Sequence, residues 1–196
     1  MKINPLILLA VLPLAVSCQS TASSQRSVSI VGLVPMSGTS TETAIDPMMP
    51  MQATTDDVER SGAGIRLENR DGAIGMGVEL RQATYETPSD PTADRDGTEI
   101  AGFFRRYLQD SNNSAFIEAS PILGLGLDDG TGDETSAYAL LRLSAGYRWM
   151  LAENIFIDAD AGYYMTLITM DTDTAVPPTE EDVSGVGVSL AIGLNF

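Results

Sequence analysis

The last twelve residues, GVGVSLAIGLNF (185–196), decide the fold. Every even position from Val186 to Phe196 is large and apolar, whereas the odd positions are Gly185, Gly187, Ser189, Ala191, Gly193 and Asn195. A period of two marks a strand, because successive side chains project from opposite faces of the pleat. In a water-soluble sandwich the large residues would pack inward and the other face would be polar. Here the other face is mostly glycine and alanine, too poor in polar groups for water. A narrow barrel in lipid reverses the arrangement, with large apolar groups outside and small or polar ones in the crowded interior. Twelve residues suffice, since a tilted membrane strand needs roughly 9–11.

The same alternation recurs up the chain. Strands are expected at about 27–35, 58–70, 73–86, 98–109, 114–127, 135–150, 155–170 and 183–196, which makes eight. Their connections alternate in length: Asp71-Gly72, 110–113 and 151–154 are short, whereas 36–57, 87–97, 128–134 and 171–182 are longer. Short turns on one side and long loops on the other are the pattern of an antiparallel outer-membrane barrel, with the short ends in the periplasm. An even strand count then puts both termini in the periplasm and the long loops outside the cell.

The Asp71-Gly72 turn predicts a register. A two-residue type I′ hairpin would set Arg70 opposite Ala73, so that Leu67 faces Met76, Ile65 faces Val78 and Ala63 faces Leu80, all apolar. On the other face Glu68 would meet Gly75, Arg66 would meet Gly77, Gly64 would meet Glu79 and Gly62 would meet Arg81. Each charge then lies across from a glycine that makes room for it inside a tight lumen. In strand six Ala137, Ala139, Leu141, Leu143, Ala145, Tyr147 and Trp149 share the outer face, and its aromatic pair sits at the short-turn end, where an interfacial girdle belongs. The inner face of that strand carries Arg142 and Arg148, strand five contributes Glu118, and strand seven contributes Asp158 and Asp160. The lumen would therefore hold Arg66, Glu68, Glu79, Arg81, Glu118, Arg142, Arg148, Asp158 and Asp160, four arginines against five acids. Near balance favours mutual neutralisation over an ion path lined with one sign. In strand four, Phe103, Phe104, Arg105 and Arg106 run in succession and fit neither phase, which a bulge would explain.

The front of the chain is of another kind. MKINPLILLAVLPLAVSCQS (1–20) has Lys2, a short apolar stretch at 6–16 and small residues after it, as an export signal does. The domain reading is a signal peptide at 1–17, a flexible polar spacer at 18–26 and the barrel at 27–196. Cys18 is the single cysteine of the chain, so it forms no internal disulfide. Ala15-Val16-Ser17-Cys18 resembles a bacterial lipobox with Ala15 where leucine is usual, which implies acylation of Cys18. Ordinary cleavage after Ser17 or Ala22 is the alternative. Gln19 after the cysteine is compatible, by the same resemblance, with sorting to the outer membrane.

The whole resembles the small outer-membrane barrels of the OmpA and OmpX kind in strand count, lumenal charges and terminal aromatic. Ser189, Leu194 and Phe196 resemble the signal read by the barrel-assembly machinery, with Ala191 where that family usually has glycine. The resemblance implies an all-β, eight-stranded, up-and-down transmembrane barrel in a Gram-negative outer membrane, in contact with outer-membrane lipids.

Chemistry is sparse. With 11 basic and 27 acidic residues, nucleic acid is not an expected partner. The chain has no histidine, which removes a Ser-His-Asp triad and the histidine-dependent outer-membrane hydrolases and proteases. No catalytic residue, cofactor or specific metal site is expected. The four longer connections hold 16 of the 27 acidic residues and one base, Arg95, and suit diffuse association with divalent cations. DDGTGDE (128–134) could bind calcium loosely but lacks EF-hand spacing. Three functions are expected in order: a structural or surface-interaction barrel with a closed, charge-filled lumen; a narrow channel or transporter for small solutes; and a lipocalin-like ligand-binding lipoprotein.

Overall fold

The computed structural model describes residues 24–44, 52–89, 95–109, 111–128, 137–170 and 179–196. Eight strands run through them: β1 Gln25–Ala44, β2 Gln52–Asp71, β3 Ile74–Glu86, β4 Arg95–Tyr107, β5 Ser114–Asp128, β6 Ala137–Met150, β7 Ile155–Met170 and β8 Thr179–Asn195. Each pairs antiparallel with its neighbours in sequence, and β1 pairs with β8, so the sheet closes into a barrel in the order of the chain. Closure is sealed at the last residue, where the Phe196 N–H donates to the Arg26 carbonyl at 2.9 Å. A closed sheet leaves no strand edge to be hydrated, as a lipid environment requires.

Alternation sorts the side chains as the period of two demands. Ile30, Ile65, Leu123, Leu143, Leu190 and Ile192 stand exposed on the outer wall, whereas Arg66, Glu79, Glu118, Arg142 and Asp158 are buried inside. Tyr147 and Trp149 pack at 4.8 Å on the outer face near the short turn at 151–154. The interior is not only small and polar, however. Phe103, Phe116, Phe156, Ile122 and Leu140 are also buried there, among four tyrosines, Tyr85, Tyr107, Tyr138 and Tyr164. Lumenal glycines give these rings their space. A methyl group on Gly124 would lie 1.9 Å from the Tyr138 ring, and one on Gly193 would lie 2.4 Å from the Phe156 ring.

Three details of the expected architecture change. The β2–β3 turn is Gly72-Ala73, with Gly72 at φ 56°, so the strands close at Asp71 opposite Ile74 rather than at Arg70 opposite Ala73. A positive φ at the first central position is common to the primed hairpin turns, and glycine adopts it without steric cost. All partners therefore move by two residues, which keeps every side chain on its face. Glu68 lies opposite Gly77, Arg81 lies opposite Gly64, and Arg66 and Glu79 become direct partners.

Strand one is far longer than 27–35. Its register shifts between Leu33 and Met36, around Pro35, which has no N–H to offer a ladder. The bulge reverses the phase: Ser27, Ser29, Val31 and Leu33 face inward before it, Gly38 and Ser40 after it. Much of 36–57 is thus strand rather than loop. In β4 there is no bulge at 103–106. Phe103, Arg105 and Tyr107 alternate inward and Phe104 and Arg106 outward, and the register shift lies instead between Asp96 and Thr98.

Strands β8, β1 and β2 outrun the others. Pairing of β2 with β3 ends at Glu59 opposite Glu86, yet β2 continues beside β1 to Gln52 opposite Ala44. Pairing of β7 with β8 ends at Met165 opposite Ser184, yet β8 continues beside β1 to Thr179. Seven residues of β2 lie beyond its last β3 partner. At roughly 3.3 Å per residue they lengthen the strand by about 20 Å.

Candidate lumenal charge ladder

Alternate residues of β2 aim Arg60, Arg66, Glu68 and Arg70 into the lumen; β3 adds Glu79 and Arg81, β4 Glu99 and Arg105, and β5 Glu118. Strands β6 and β7 add Arg142, Arg148, Asp158 and Asp160. An eight-stranded barrel is only wide enough to be filled by its own side chains, so these groups must meet across the axis.

They meet as an alternating ladder. Glu68 pairs with Arg148 at 2.7 Å, Arg148 with Asp158 at 2.7 Å, Asp158 with Arg105 at 2.7 Å and Arg105 with Glu118 at 2.7 Å. Glu118 pairs with Arg66 at 3.0 Å, Arg66 with Glu79 at 2.7 Å, Glu79 with Arg81 at 2.9 Å and Arg81 with Glu99 at 3.3 Å; Glu99 ends on Arg60. Arg142 and Asp160 form a separate pair, and the Ser189 hydroxyl donates to Asp160. Within these pairs six arginines oppose six carboxylates. Matching matters because an ion taken out of water costs several kcal/mol unless partners replace its hydration.

Aromatic rings fill the remaining space and bind the cations through their π faces. Arg105 lies 3.7 Å over Phe116, Arg148 lies 3.9 Å over Phe156 and Arg66 lies 4.6 Å over Phe103. At the short-turn end Arg70 covers Tyr107 at 3.8 Å and donates to the carbonyls of Gly72 and Ser111. Towards the other end Tyr85 and Tyr138 both donate to Glu99 at 2.9 Å, under an apolar layer that includes Val58, Ile122 and Leu140.

All nine charged residues read from the alternation line this interior. Arg60, Arg70, Glu99 and Arg105 are added to them. Arg60 shares the even parity of Arg66 and Glu68, so its signal was present in β2. Glu99 and Arg105 were hidden because two rings and two guanidinium groups in succession fit either face. Of the candidate assembly residues, Ser189 points inward at 2% exposure, whereas Leu194 and Phe196 stand on the outer wall at 48% and 75%. Cys18, and residues 129–134 of the acidic run, lie outside the described residues.

No protein-family model matches the sequence, and no curated protein matches it. Solved structures do share its shape. The crystal structure of Neisserial surface protein A aligns over 91% of this chain and all of its own, at 14% identity and a TM-score of 0.52. The solid-state NMR structure of the outer-membrane protein AlkL aligns over 91% of this chain and 94% of its own, at 12% identity and a TM-score of 0.54. The chain therefore has the closed eight-stranded β-barrel fold of small outer-membrane proteins.

Proposed function

We propose that the protein is an integral outer-membrane barrel with a closed lumen, which reinforces the membrane and presents an acidic surface outside the cell. The observation that carries the closed lumen is the unbroken sequence of nine alternating ion pairs, wedged by aromatic rings. A conducting pore needs water along its axis and binding weak enough to release the solute. Here the ion-paired cations are held by carboxylates, and Arg60, Arg66, Arg105 and Arg148 by ring faces as well. The arrangement supports a rigid plug rather than a path.

Insertion in the outer membrane is supported by the exposed apolar wall, the Tyr147–Trp149 pair near one rim and the shared fold. By the loop-length pattern of such barrels the short turns lie in the periplasm. The extended ends of β8, β1 and β2 then stand outside, and in sequence they carry Glu42, Asp56, Asp57, Glu180, Glu181 and Asp182 without a base. Such a surface attracts divalent cations and cationic partners and repels anions.

Planar-bilayer recording of the purified barrel tests the plug. Little steady conductance is expected. Large, reproducible open channels would overturn it and promote the transporter reading.

A further inference from the structure

The outer wall is not uniformly convex. Between β4 and β7 a groove of about 520 Å³ runs over Ala119, Ala145 and Ala161, banked by Phe104, Ile117 and Leu143. Arg106 closes it at the short-turn side, one residue before the end of β4. The register explains the shape: Arg106, Ile117, Ala145 and Ala161 lie on one rung, and Phe104, Ala119 and Leu143 on the next.

Arg106 is the odd member of this wall. The five arginines of the ladder and Arg142 beside it are all ion-paired, whereas Arg106 faces outward between two isoleucines, Ile74 and Ile117. No carboxylate pairs with it among the described residues. A guanidinium on the lipid face is costly at the midplane and tolerable near the interface, where a phosphate can meet it. Guanidinium also matches phosphate in geometry, with two parallel donors.

We infer that the groove is a lipid site: one acyl chain of an anionic glycerophospholipid lies over the alanine floor, with its phosphate on Arg106. Charge complementarity names this occupant, since a neutral acyl chain alone would leave the cation unmatched. Arg26 also faces outward and is not among the residues that line this groove. The inference rests on the membrane-barrel reading, which heat-modifiable gel mobility tests separately for each variant.

Native mass spectrometry of the refolded barrel, released from detergent micelles across a phosphatidylglycerol titration, reads the site directly. The wild type is expected to retain one lipid. Arg106→Gln should weaken retention about tenfold, the loss of one charge-assisted contact. Ala145→Phe leaves the cation in place, fills the floor and should weaken retention similarly. Arg26→Gln should not change it. Diacylglycerol, which has the chains without the phosphate, should bind the wild type no better than phosphatidylglycerol binds Arg106→Gln. Equal retention by the wild type and Arg106→Gln, no effect of Ala145→Phe, or an equal loss in Arg26→Gln would each overturn the site.

Discussion

Replacing Arg105 with methionine tests whether the ladder holds the barrel together. Arg105 is fully buried and joins its two halves, pairing with Asp158 on one side and Glu118 on the other, both at 2.7 Å. Methionine keeps much of the volume over Phe116 but removes the charge, leaving six carboxylates against five arginines within the named ion pairs. Breaking a buried pair by removing one partner costs about 3–5 kcal/mol. The lower end applies, because Asp158 keeps Arg148 at 2.7 Å and Glu118 keeps Arg66 at 3.0 Å. A loss of about 3 kcal/mol is therefore expected for Arg105→Met. Adding Glu118→Gln restores the balance at five against five and should recover about 1–2 kcal/mol, a coupling typical of residues in one network. Urea titration of the protein refolded into lipid vesicles measures both, followed through the fluorescence of Trp149, the single tryptophan of the chain. If Arg105→Met falls within about 0.5 kcal/mol of the wild type, as a surface substitution would, the ladder is not what stabilises the barrel. A double variant no more stable than the single would refute the charge-balance argument.

Gly124→Ala should sharply reduce the heat-modifiable folded band, because its methyl group would meet the Tyr138 ring at 1.9 Å. Gly102→Ala has nothing within 4 Å of the added carbon and should assemble like the wild type, so equal bands would remove the close-packing argument. Phe196→Ser should lower the assembled amount in cells while leaving refolding in detergent intact; unchanged assembly would count against a terminal aromatic signal. A thiol-reactive label that does not cross the outer membrane should modify Asp57→Cys in whole cells, in a Cys18→Ser background. It should reach Glu153→Cys only once the periplasm is opened, and the reverse pattern would invert the proposed topology.

Most of the inward and outward assignment was legible in the chain, because a residue's face is a local property. Val186 and Val188 share a side whatever the rest of the protein does, and so do Arg142 and Arg148. Legibility failed where local parity was interrupted or ambiguous. Pro35 breaks the ladder and reverses the phase of β1, so an alternation read up to 35 could not be carried past it. Phe103 to Arg106 offered rings and guanidinium groups to both faces, since a ring suits the lipid wall and the lumen alike. At the β2–β3 turn a shift of two residues preserved the faces while changing every partner, so hydrophobic pattern alone could not detect it.

By itself, then, the sequence determined that eight alternating strands would carry their charges on one face and their large aliphatic groups on the other. Only the tertiary structure decided which charge meets which. Arg148 reaches Glu68 across 80 residues of chain, and Arg66 reaches Glu118 across 52. Neither pair has a sequence signature, because these partners are set by the tilt and stagger with which the sheet closes. The face of a side chain follows from the pleat beneath it, whereas its partner follows from the circumference of the whole barrel.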